Sequence, residues 1–259
     1  MIELFLLALD RLGPQEDARF AAVLDAEECA RAARLRFARD RTAFIAAHAL
    51  ARFALSRARP AVPPAAWRFH APPLGKPVAH AEGGAGVSFS LSHTAGLVAV
   101  VVGEAGPLGV DVEAIVPATA TLDLATAFCA PAEHAALAAL KDEAARTQRF
   151  FTLWTLKESL LKAAGLGLSQ APQTVEFAFD PLEVTQLSGA ARGDWHVWSG
   201  FAPPGHCLAV CAGGEARPHL DAYRVGDGAA LAAGAALPDA AFADASLALS
   251  TCRSRASTV

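Results

Sequence analysis

The order of helical and strand-like segments constrains this chain most, because the same order occurs twice. In the first half, Ile2–Ala8 has the composition of a strand, and helical patterns follow at residues 16–24 and 41–57. A cluster of prolines ends the helical pattern, and strand-like runs begin after it. Among them, residues 97–103 form an almost continuous apolar, β-branched run, which indicates a buried strand.

The second half repeats this order. Pro131 stands where a helix begins, because its missing N–H costs little there, and a longer helix is predicted over residues 145–164. Gly165 is a typical C-terminal cap for that helix. Strand-like runs follow between residues 174 and 211.

These signals divide the chain of 259 residues into three parts. Helices followed by strands, twice over, predict an α+β fold with two similar halves, residues 1–107 and 108–220. Residues 221–259 are rich in Ala, Gly and Asp and supply few large apolar side chains, so we expect them to form a flexible, dispensable tail.

Composition and charge argue against several classes of protein. No apolar run approaches the roughly 20 residues of a membrane-spanning helix, and the first residues lack the basic start of a signal peptide. We therefore expect a cytoplasmic protein that binds no membrane. The formal net charge of −4, without a broad basic surface, argues against nucleic acid as a partner. The five cysteines form no CxxC pair, which favours reduced thiols over a metal centre.

The segment GVDVE, which begins at Gly109, carries the first candidate site. Side chains alternate along a strand, so Asp111 and Glu113 share one face while Val110 and Val112 occupy the other. Two neighbouring carboxylates repel each other unless a cation lies between them, and oxygen ligands of this kind suit Mg²⁺. A solvated strand face is the alternative interpretation of so short a motif.

The segment WTLKESLLK, which begins at Trp154, carries the second candidate site. On a helix, Glu158 and Lys162 lie four positions apart and share a face. The functional interpretation makes Glu158 a third oxygen ligand and Lys162 a contact for phosphate, which is a common use of lysine. The alternative is a surface ion pair that contributes roughly a few tenths of a kcal/mol.

A third motif, FSLSHT at residues 89–94, ends a predicted strand. Ser92 and His93 bring a hydroxyl and an imidazole to the rim of a loop that contains Gly96. A serine hydrolase would need a G-x-S-x-G turn, which this motif lacks. Hydroxyl, imidazole and loop N–H groups together suit the binding of an anion.

In this order, FSLSHT, GVDVE and WTLKESLLKAAG resemble the signature of the 4′-phosphopantetheinyl transferase superfamily. The chain length and the upstream segment LGKP around Lys76 are similar to the larger, monomeric, surfactin-type branch. The resemblance spans roughly residues 1–215 and implies a pseudo-dimer of two α+β halves with the active site in the cleft between them. It implies transfer of the 4′-phosphopantetheine group of coenzyme A to a serine of an apo carrier protein, whether acyl, peptidyl or aryl carrier. The other product would be adenosine 3′,5′-bisphosphate.

The resemblance also implies roles for individual residues. Mg²⁺, with Mn²⁺ as the alternative, would be held by Asp111, Glu113 and Glu158. The expected contacts to coenzyme A are Arg31, Lys76, Ser92, His93, Lys157 and Lys162. The catalytic residues would be Glu158, Lys162 and Asp111. The serine proton would pass to Glu158, with Glu133 or a water held by the metal as the alternatives.

Four more residues are given roles by the same resemblance. Arg41 belongs to a helix typical of the family. Phe44 stands where some members have a small hydroxylated residue, so one hydrogen bond on the adenosine side would be missing or replaced. Leu166 and Leu168 follow the catalytic helix and would either contact the carrier protein or fold back into the core.

Three alternatives remain open. Another Mg²⁺-dependent phosphoryl or nucleotidyl transferase would share the carboxylates and lysines, although P-loop and kinase motifs are absent. A non-enzymatic paralogue that binds coenzyme A or a carrier would be expected to have lost metal ligands. A structural protein without a site would require three motifs in family order to be a coincidence. The sequence does not specify the carrier protein or its pathway.

Overall fold

The computed structural model describes residues 1–12, 14–70, 76–104, 106–166, 170–225, 242–244 and 249–254. The chain divides into two compact units. The first unit contains residues 1–71, 77–105 and 218–246, and the second contains residues 72–76, 106–217 and 247–259. The predicted boundary at residue 107 lies close to one of these divisions. Each unit also takes in part of the segment that we expected to be a tail.

Up to residue 213, the described residues follow the order of helices and strands that the sequence predicts. The helices are α1 (Pro14–Ala21), α2 (Ala26–Arg34), α3 (Ala38–Ala58), α4 (Leu122–Ala125), α5 (Pro131–Ala139) and α6 (Glu143–Ala163). The strands are β1 (Ile2–Ala8), β2 (Arg68–His70), β3 (Val78–His80), β4 (Val87–Thr94), β5 (Leu97–Glu104), β6 (Leu108–Ala114), β7 (Val175–Ala178), β8 (Glu183–Leu187), β9 (Trp195–Ala202), β10 (His206–Gly213), β11 (Leu220–Val225), β12 (Phe242–Asp244) and β13 (Leu249–Ser254).

The first unit is built on a five-stranded sheet in the order β12-β11-β1-β5-β4. Strand β1 runs parallel to β11 and antiparallel to β5, and β5 runs antiparallel to β4. One core joins α3 to this sheet, with Leu50 and Phe53 of the helix among Val98, Val100 and other buried residues. The apolar run predicted as a buried strand is therefore β5, which is paired with β1 on one side and β4 on the other.

The second unit is built on a four-stranded antiparallel sheet in the order β13-β9-β10-β6. Its long helix α6 contributes Leu156 and Leu160 to a core that also contains Val197 and Ala209 of the sheet. Both residues of α6 are fully buried, so the helix packs on the sheet through a dry, apolar face.

The two units repeat one arrangement of three strands and a long helix. Ile2 of β1 lies opposite Gly103 of β5, and Leu108 of β6 lies opposite Ala212 of β10. In both pairs the first residue of one strand faces the next-to-last residue of the other. Helices α3 and α6 each have 21 residues. The α+β class is confirmed, and the arrangement of the halves around a cleft stays a prediction.

The C-terminal segment differs from the flexible tail that its composition suggested. Strand β11 pairs with β1, and β13 pairs with β9. The ring of Tyr223 stacks on Phe5 with centroids 5.5 Å apart, and Val225 belongs to the first core. The expectation fails for these strands because a sheet supplies backbone hydrogen bonds to an added strand whatever its side chains are. Residues 226–241, 245–248 and 255–259 lie outside the described part.

Among the described residues, no helix is long and apolar enough to cross a membrane. The five cysteines are free thiols. Burial, reinforced by the charge of Glu133, raises the pKa of the Cys129 thiol to about 12, and burial raises the pKa of Cys211 well above its ordinary value. These two thiols therefore stay protonated at neutral pH and are poor nucleophiles and poor metal ligands.

Candidate active site

Strand β6 packs so closely against α6 that only glycine fits at residue 109. A Cβ atom on Gly109 would lie 1.9 Å from the carbonyl oxygen of Ser159. Because side chains alternate along a strand, Asp111 and Glu113 point to the same side of β6 as Gly109. The glycine of the GVDVE motif thus lets this strand bring two carboxylates to the helix that carries Glu158.

Asp111 and Lys162 form a short ion pair across this contact. Asp111 is 3% exposed, and its Oδ1 accepts a hydrogen bond from Lys162 Nζ at 2.6 Å. The same ammonium group donates to the carbonyl oxygen of Val110 at 3.3 Å, while 29% of the Lys162 side chain stays exposed. Lys162 therefore offsets the buried negative charge of Asp111 and still presents a cationic edge to solvent.

Glu158 lies among charges of both signs. Burial raises the pKa of its carboxyl group, the negative charges of Asp111 and Glu113 raise it further, and the positive charge of Lys162 opposes them. A carboxylate whose negative charge raises the pKa of Glu158 lies close enough to repel it. The structure thus brings together the three acids and the lysine that the two sequence motifs single out.

The chemistry of this donor set fits a hard divalent cation. Mg²⁺ prefers carboxylate oxygens and completes its shell with water and substrate phosphate, and a cation would relieve the repulsion on Glu158. Within the described ranges, no three His, Cys, Asp or Glu side chains converge closely enough to enclose a metal ion. The three acids are therefore close neighbours whose oxygen atoms suit Mg²⁺. One of them, Asp111, forms an ion pair with Lys162.

Lys157 precedes Glu158 but lies in the interior of the second unit. Its side chain is 1% exposed, and its Nζ lies 2.7 Å from Oε2 of Glu133, whose side chain is equally buried. The ammonium group also donates to the carbonyl oxygens of Pro172, at 3.1 Å, and Val175. This burial does not favour the expected contact between Lys157 and coenzyme A. It also argues against Glu133 as the base for a serine hydroxyl that arrives from outside.

Lys76 lies near the start of β6. Its Nζ donates to the carbonyl oxygen of Leu108 at 2.6 Å. Burial lowers the pKa of this lysine to about 8, and Cys211 opposes the shift. The amine therefore remains largely protonated at neutral pH, as a phosphate contact would require, but it loses its charge in mildly alkaline solution.

The other residues expected to bind coenzyme A belong to the first unit. Arg31 is exposed on α2, and its guanidinium carbon lies 5.4 Å from the centroid of the Phe44 ring. Ser92 and His93 are neighbours on β4, and the first is buried while the second is exposed. The strand ends at Thr94 and a turn follows at residues 95 and 96, so the two residues lie at the end of a strand beside that turn, as the motif predicts. The ring of Phe44 therefore lies against the guanidinium group of Arg31.

Sequence reasoning missed a buried ion pair in the first unit. The fully buried Arg52 of α3 pairs with Glu28 of α2, and Oε1 of Glu28 lies 2.6 Å from Nδ1 of His48. One signal was present: Asp25 and Glu28 form the capping box that their spacing predicts. A second was an arginine in the middle of an otherwise apolar helix face.

The segment after α6 shows the position of Leu166, one of the two leucines expected either to contact the carrier protein or to join the core. Gly165 has φ +71° and Leu166 N donates to Leu161 O at 3.0 Å, which confirms the predicted glycine cap. Leu166 packs against the second core, as the core alternative predicts. Leu168 lies outside the described residues.

Comparison with known proteins gives one consistent answer. The model of the 4′-phosphopantetheinyl transferase superfamily matches residues 107–211. The chain is 33% identical to the 4′-phosphopantetheinyl transferase HetI of Nostoc sp. over 195 residues, and this alignment covers 74% of the chain and 79% of HetI. It is 31% identical over 199 residues to a 4′-phosphopantetheinyl transferase of Bacillus subtilis, covering 76% and 80% of the two chains. The 4′-phosphopantetheinyl transferase Sfp of Bacillus subtilis is 30% identical over 126 residues, covering 48% and 54%.

Proposed function

The chain belongs to the 4′-phosphopantetheinyl transferase superfamily, and on that premise we propose which of its residues carry out the reaction. It is an enzyme that transfers the 4′-phosphopantetheine group of coenzyme A to a carrier protein. Asp111, Glu113 and Glu158 hold a divalent cation, preferably Mg²⁺. The observation that carries this assignment is the ion pair of 2.6 Å between Asp111 of β6 and Lys162 of α6, which joins the strand with two of the acids to the helix that carries Glu158.

Coenzyme A has a pyrophosphate and a 3′-phosphate, and each needs positive charge nearby. Lys162, with its exposed cationic edge, contacts the pyrophosphate. Arg31 and His93, both exposed, contact the 3′-phosphate together with Lys76 and Ser92. Lys157 is left out of this set because its donors are already used in the interior.

The reaction breaks the pyrophosphate bond, and the serine oxygen of the carrier protein forms a new bond to the phosphorus of the phosphopantetheine arm. Negative charge grows on the departing adenosine 3′,5′-bisphosphate, where Lys162 stabilises it. A cation bound by the three acids would supply further charge stabilisation and orient the phosphates. Glu158, whose carboxylate is proposed to face the reacting groups, takes the serine proton.

The active site is proposed to lie in a cleft between the two halves of a pseudo-dimer, as the resemblance implies. The repeated strand register of the two units supports two similar halves. The partners are apo carrier proteins and coenzyme A. The enzyme would act as a monomer in the cytoplasm, without membrane or nucleic acid.

Mass spectrometry of purified apo acyl, peptidyl and aryl carrier proteins tests this function. Incubation with coenzyme A, Mg²⁺ and the enzyme should add one phosphopantetheine to a serine and release adenosine 3′,5′-bisphosphate. Glu158→Gln is the matched control, since it removes the proposed base and ligand without changing the size of the side chain. Modification that proceeds equally with this variant would contradict the assigned site. A transfer that needs ATP and not coenzyme A would favour the other class of phosphoryl transferase.

A further inference from the structure

The buried pair of Glu133 and Lys157 has a counterpart elsewhere in the chain. In the second unit, Oε2 of Glu133 accepts a hydrogen bond from Ala130 N at 2.7 Å and lies the same distance from Lys157 Nζ. Lys157 in turn donates to the carbonyl oxygens of Pro172 and Val175, which are the first residue of a 3-10 turn and the residue after it. The pair thus ties α5 and α6 to the segment that enters β7.

The first unit contains the same set of contacts. Oε2 of Glu28 accepts from Asp25 N at 2.9 Å and pairs with the guanidinium group of Arg52. Arg52 donates to the carbonyl oxygens of Pro64, at 3.2 Å, and Trp67. These two are again the first residue of a 3-10 turn and the residue after it. Here the pair ties α2 and α3 to the segment that enters β2.

The residues of the two pairs occupy equivalent positions in their helices. Glu28 and Glu133 are each the third residue of the shorter helix, α2 and α5. Arg52 and Lys157 are each the fifteenth residue of a 21-residue helix, α3 and α6. We call these contact sets the two helix locks, one formed by Glu28 and Arg52 and the other by Glu133 and Lys157.

The surroundings of the two locks differ in one respect that bears on chemistry. The residue after Arg52 is the core residue Phe53, whereas the residue after Lys157 is the acid Glu158. The first lock also contains the carboxylate of Asp25, whose Oδ2 lies 3.4 Å from Arg52, but no acid follows Arg52 on the long helix. Because the same contacts occur in both units, we infer that they serve the packing of the long helix. The charge of Lys157 is then balanced within the protein and not by a substrate.

We propose, on the basis of the function given above, that Glu133 and Lys157 are positioning residues for the transfer reaction. They fix the rotation of α6 about its axis and so direct Glu158 to the side of Asp111. Neither residue contacts coenzyme A, and neither takes the serine proton. Removing one partner of a buried ion pair leaves an uncompensated charge, so opening either lock should also destabilise its own unit.

Four variants in two matched pairs test this inference. Lys157→Met and Glu133→Gln open the lock of the second unit, and Arg52→Met and Glu28→Gln open the lock of the first. Lys157→Arg is the conservative variant, since arginine makes the equivalent contacts in the first unit. The measurements are the melting temperature, the dissociation constant of coenzyme A by calorimetry, and kcat and KM at a temperature at which all variants are folded.

Both pairs should lower the melting temperature, but only the second-unit pair should lower kcat, by about tenfold or more, because Glu158 is displaced. The dissociation constant of coenzyme A should change less than about threefold in every variant, and Lys157→Arg should restore kcat. A rise of about tenfold or more in that constant for both Lys157 variants would make Lys157 a coenzyme A contact and overturn the proposal.

Loss of kcat in Glu133→Gln without a fall in melting temperature would also overturn it, because Glu133 would then act as the base. Absence of transfer by the wild-type protein would contradict the proposed function, whereas melting and calorimetry would still decide whether Lys157 binds coenzyme A. If Lys157→Met does not fold, Glu133→Gln and Lys157→Arg carry the same comparison.

Discussion

The two units of this protein share a scaffold, but the face between the long helix and its first strand is filled differently. In the first unit the cluster between α3 and β1 includes Phe5, Leu7 and Phe53, all of them buried. In the second unit the corresponding strand and helix carry Asp111, Glu113 and Glu158. The register of the sheets and the helix locks are the same. The shared features build the scaffold, and the chemistry that we propose rests on the acids of the second unit.

The strongest test of this comparison is the close approach of β6 to α6. Gly109→Ala would place a Cβ atom 1.9 Å from the backbone of Ser159, which neither backbone can accommodate without moving. We expect a loss of more than about 4 kcal/mol in the free energy of unfolding, together with loss of activity. Denaturant unfolding measures the first effect.

Gly165→Ala is the control for that prediction. A Cβ atom added to Gly165 would meet no other atom within 4 Å. Only the backbone φ of +71°, which residues with a side chain rarely adopt, opposes this substitution. Its cost should be about 1 kcal/mol. Equal effects of the two substitutions would show that strand and helix are not in tight contact.

The comparison also extends to the C-terminal segment, whose strands contribute to both sheets. Deleting residues 249–259 removes β13 from beside β9, and with it Cys252, which packs on the second core. We expect the melting temperature to fall by about 5–10 °C. Calorimetry of the truncated protein measures this fall, and an unchanged melting temperature would support the original expectation of a dispensable tail.

The pH dependence of coenzyme A binding tests Lys76. Burial lowers its pKa to about 8, so the amine loses its charge as the pH rises through that value. If this amine contacts a phosphate, KM for coenzyme A should rise severalfold between about pH 7 and 9, because the neutral amine no longer attracts the phosphate. In Lys76→Gln the profile should be flatter and KM higher at pH 7. A parallel rise in both proteins would assign the effect to another group.

The smallest expected effect concerns Glu158 in the absence of divalent cations. Its pKa is raised above the ordinary value of 4.5, so the folded protein holds this proton more strongly than the unfolded chain. Stability is therefore lost as the pH rises through the folded pKa, and the ionised carboxylate weakens the fold at neutral pH. Glu158→Gln should raise the melting temperature by about 2 °C in EDTA.

Addition of Mg²⁺ completes that experiment. The cation should stabilise the wild-type protein more than Glu158→Gln, because the variant has lost one of the proposed ligands. A variant that melts lower than wild type in EDTA would show that the carboxylate is stabilising and that the three acids do not repel.

Much of the fold follows from local patterns in the sequence. The strand predicted at Ile2–Ala8 is β1, and the apolar run that begins at Leu97 is β5. These predictions succeed because strand alternation and helix periodicity act over a few residues. The common site of Asp111 and Glu158 was implied by the resemblance and by no local pattern, and the charge of Asp111 does act on Glu158.

The remainder depends on contacts between distant residues. Lys157 and Glu158 are neighbours in one motif, yet one lies in the core and the other near Asp111. The core position of Lys157 is stable because Glu133, more than twenty positions earlier, supplies the partner charge. No local pattern states that pairing. The same holds for β13, whose composition is that of a loop and whose stability comes from β9.

The central claim is that the acids of the second unit hold the cation used in the transfer. Its most direct test is the Mg²⁺ dependence of the transfer rate in the wild-type protein and in Asp111→Asn, with saturating coenzyme A and apo carrier protein. The wild-type rate should rise and saturate with Mg²⁺, whereas the variant should be slower by about a hundredfold or more and should not recover at high Mg²⁺. A variant that matches the wild-type rate at the same Mg²⁺ concentration would contradict the assignment of these acids.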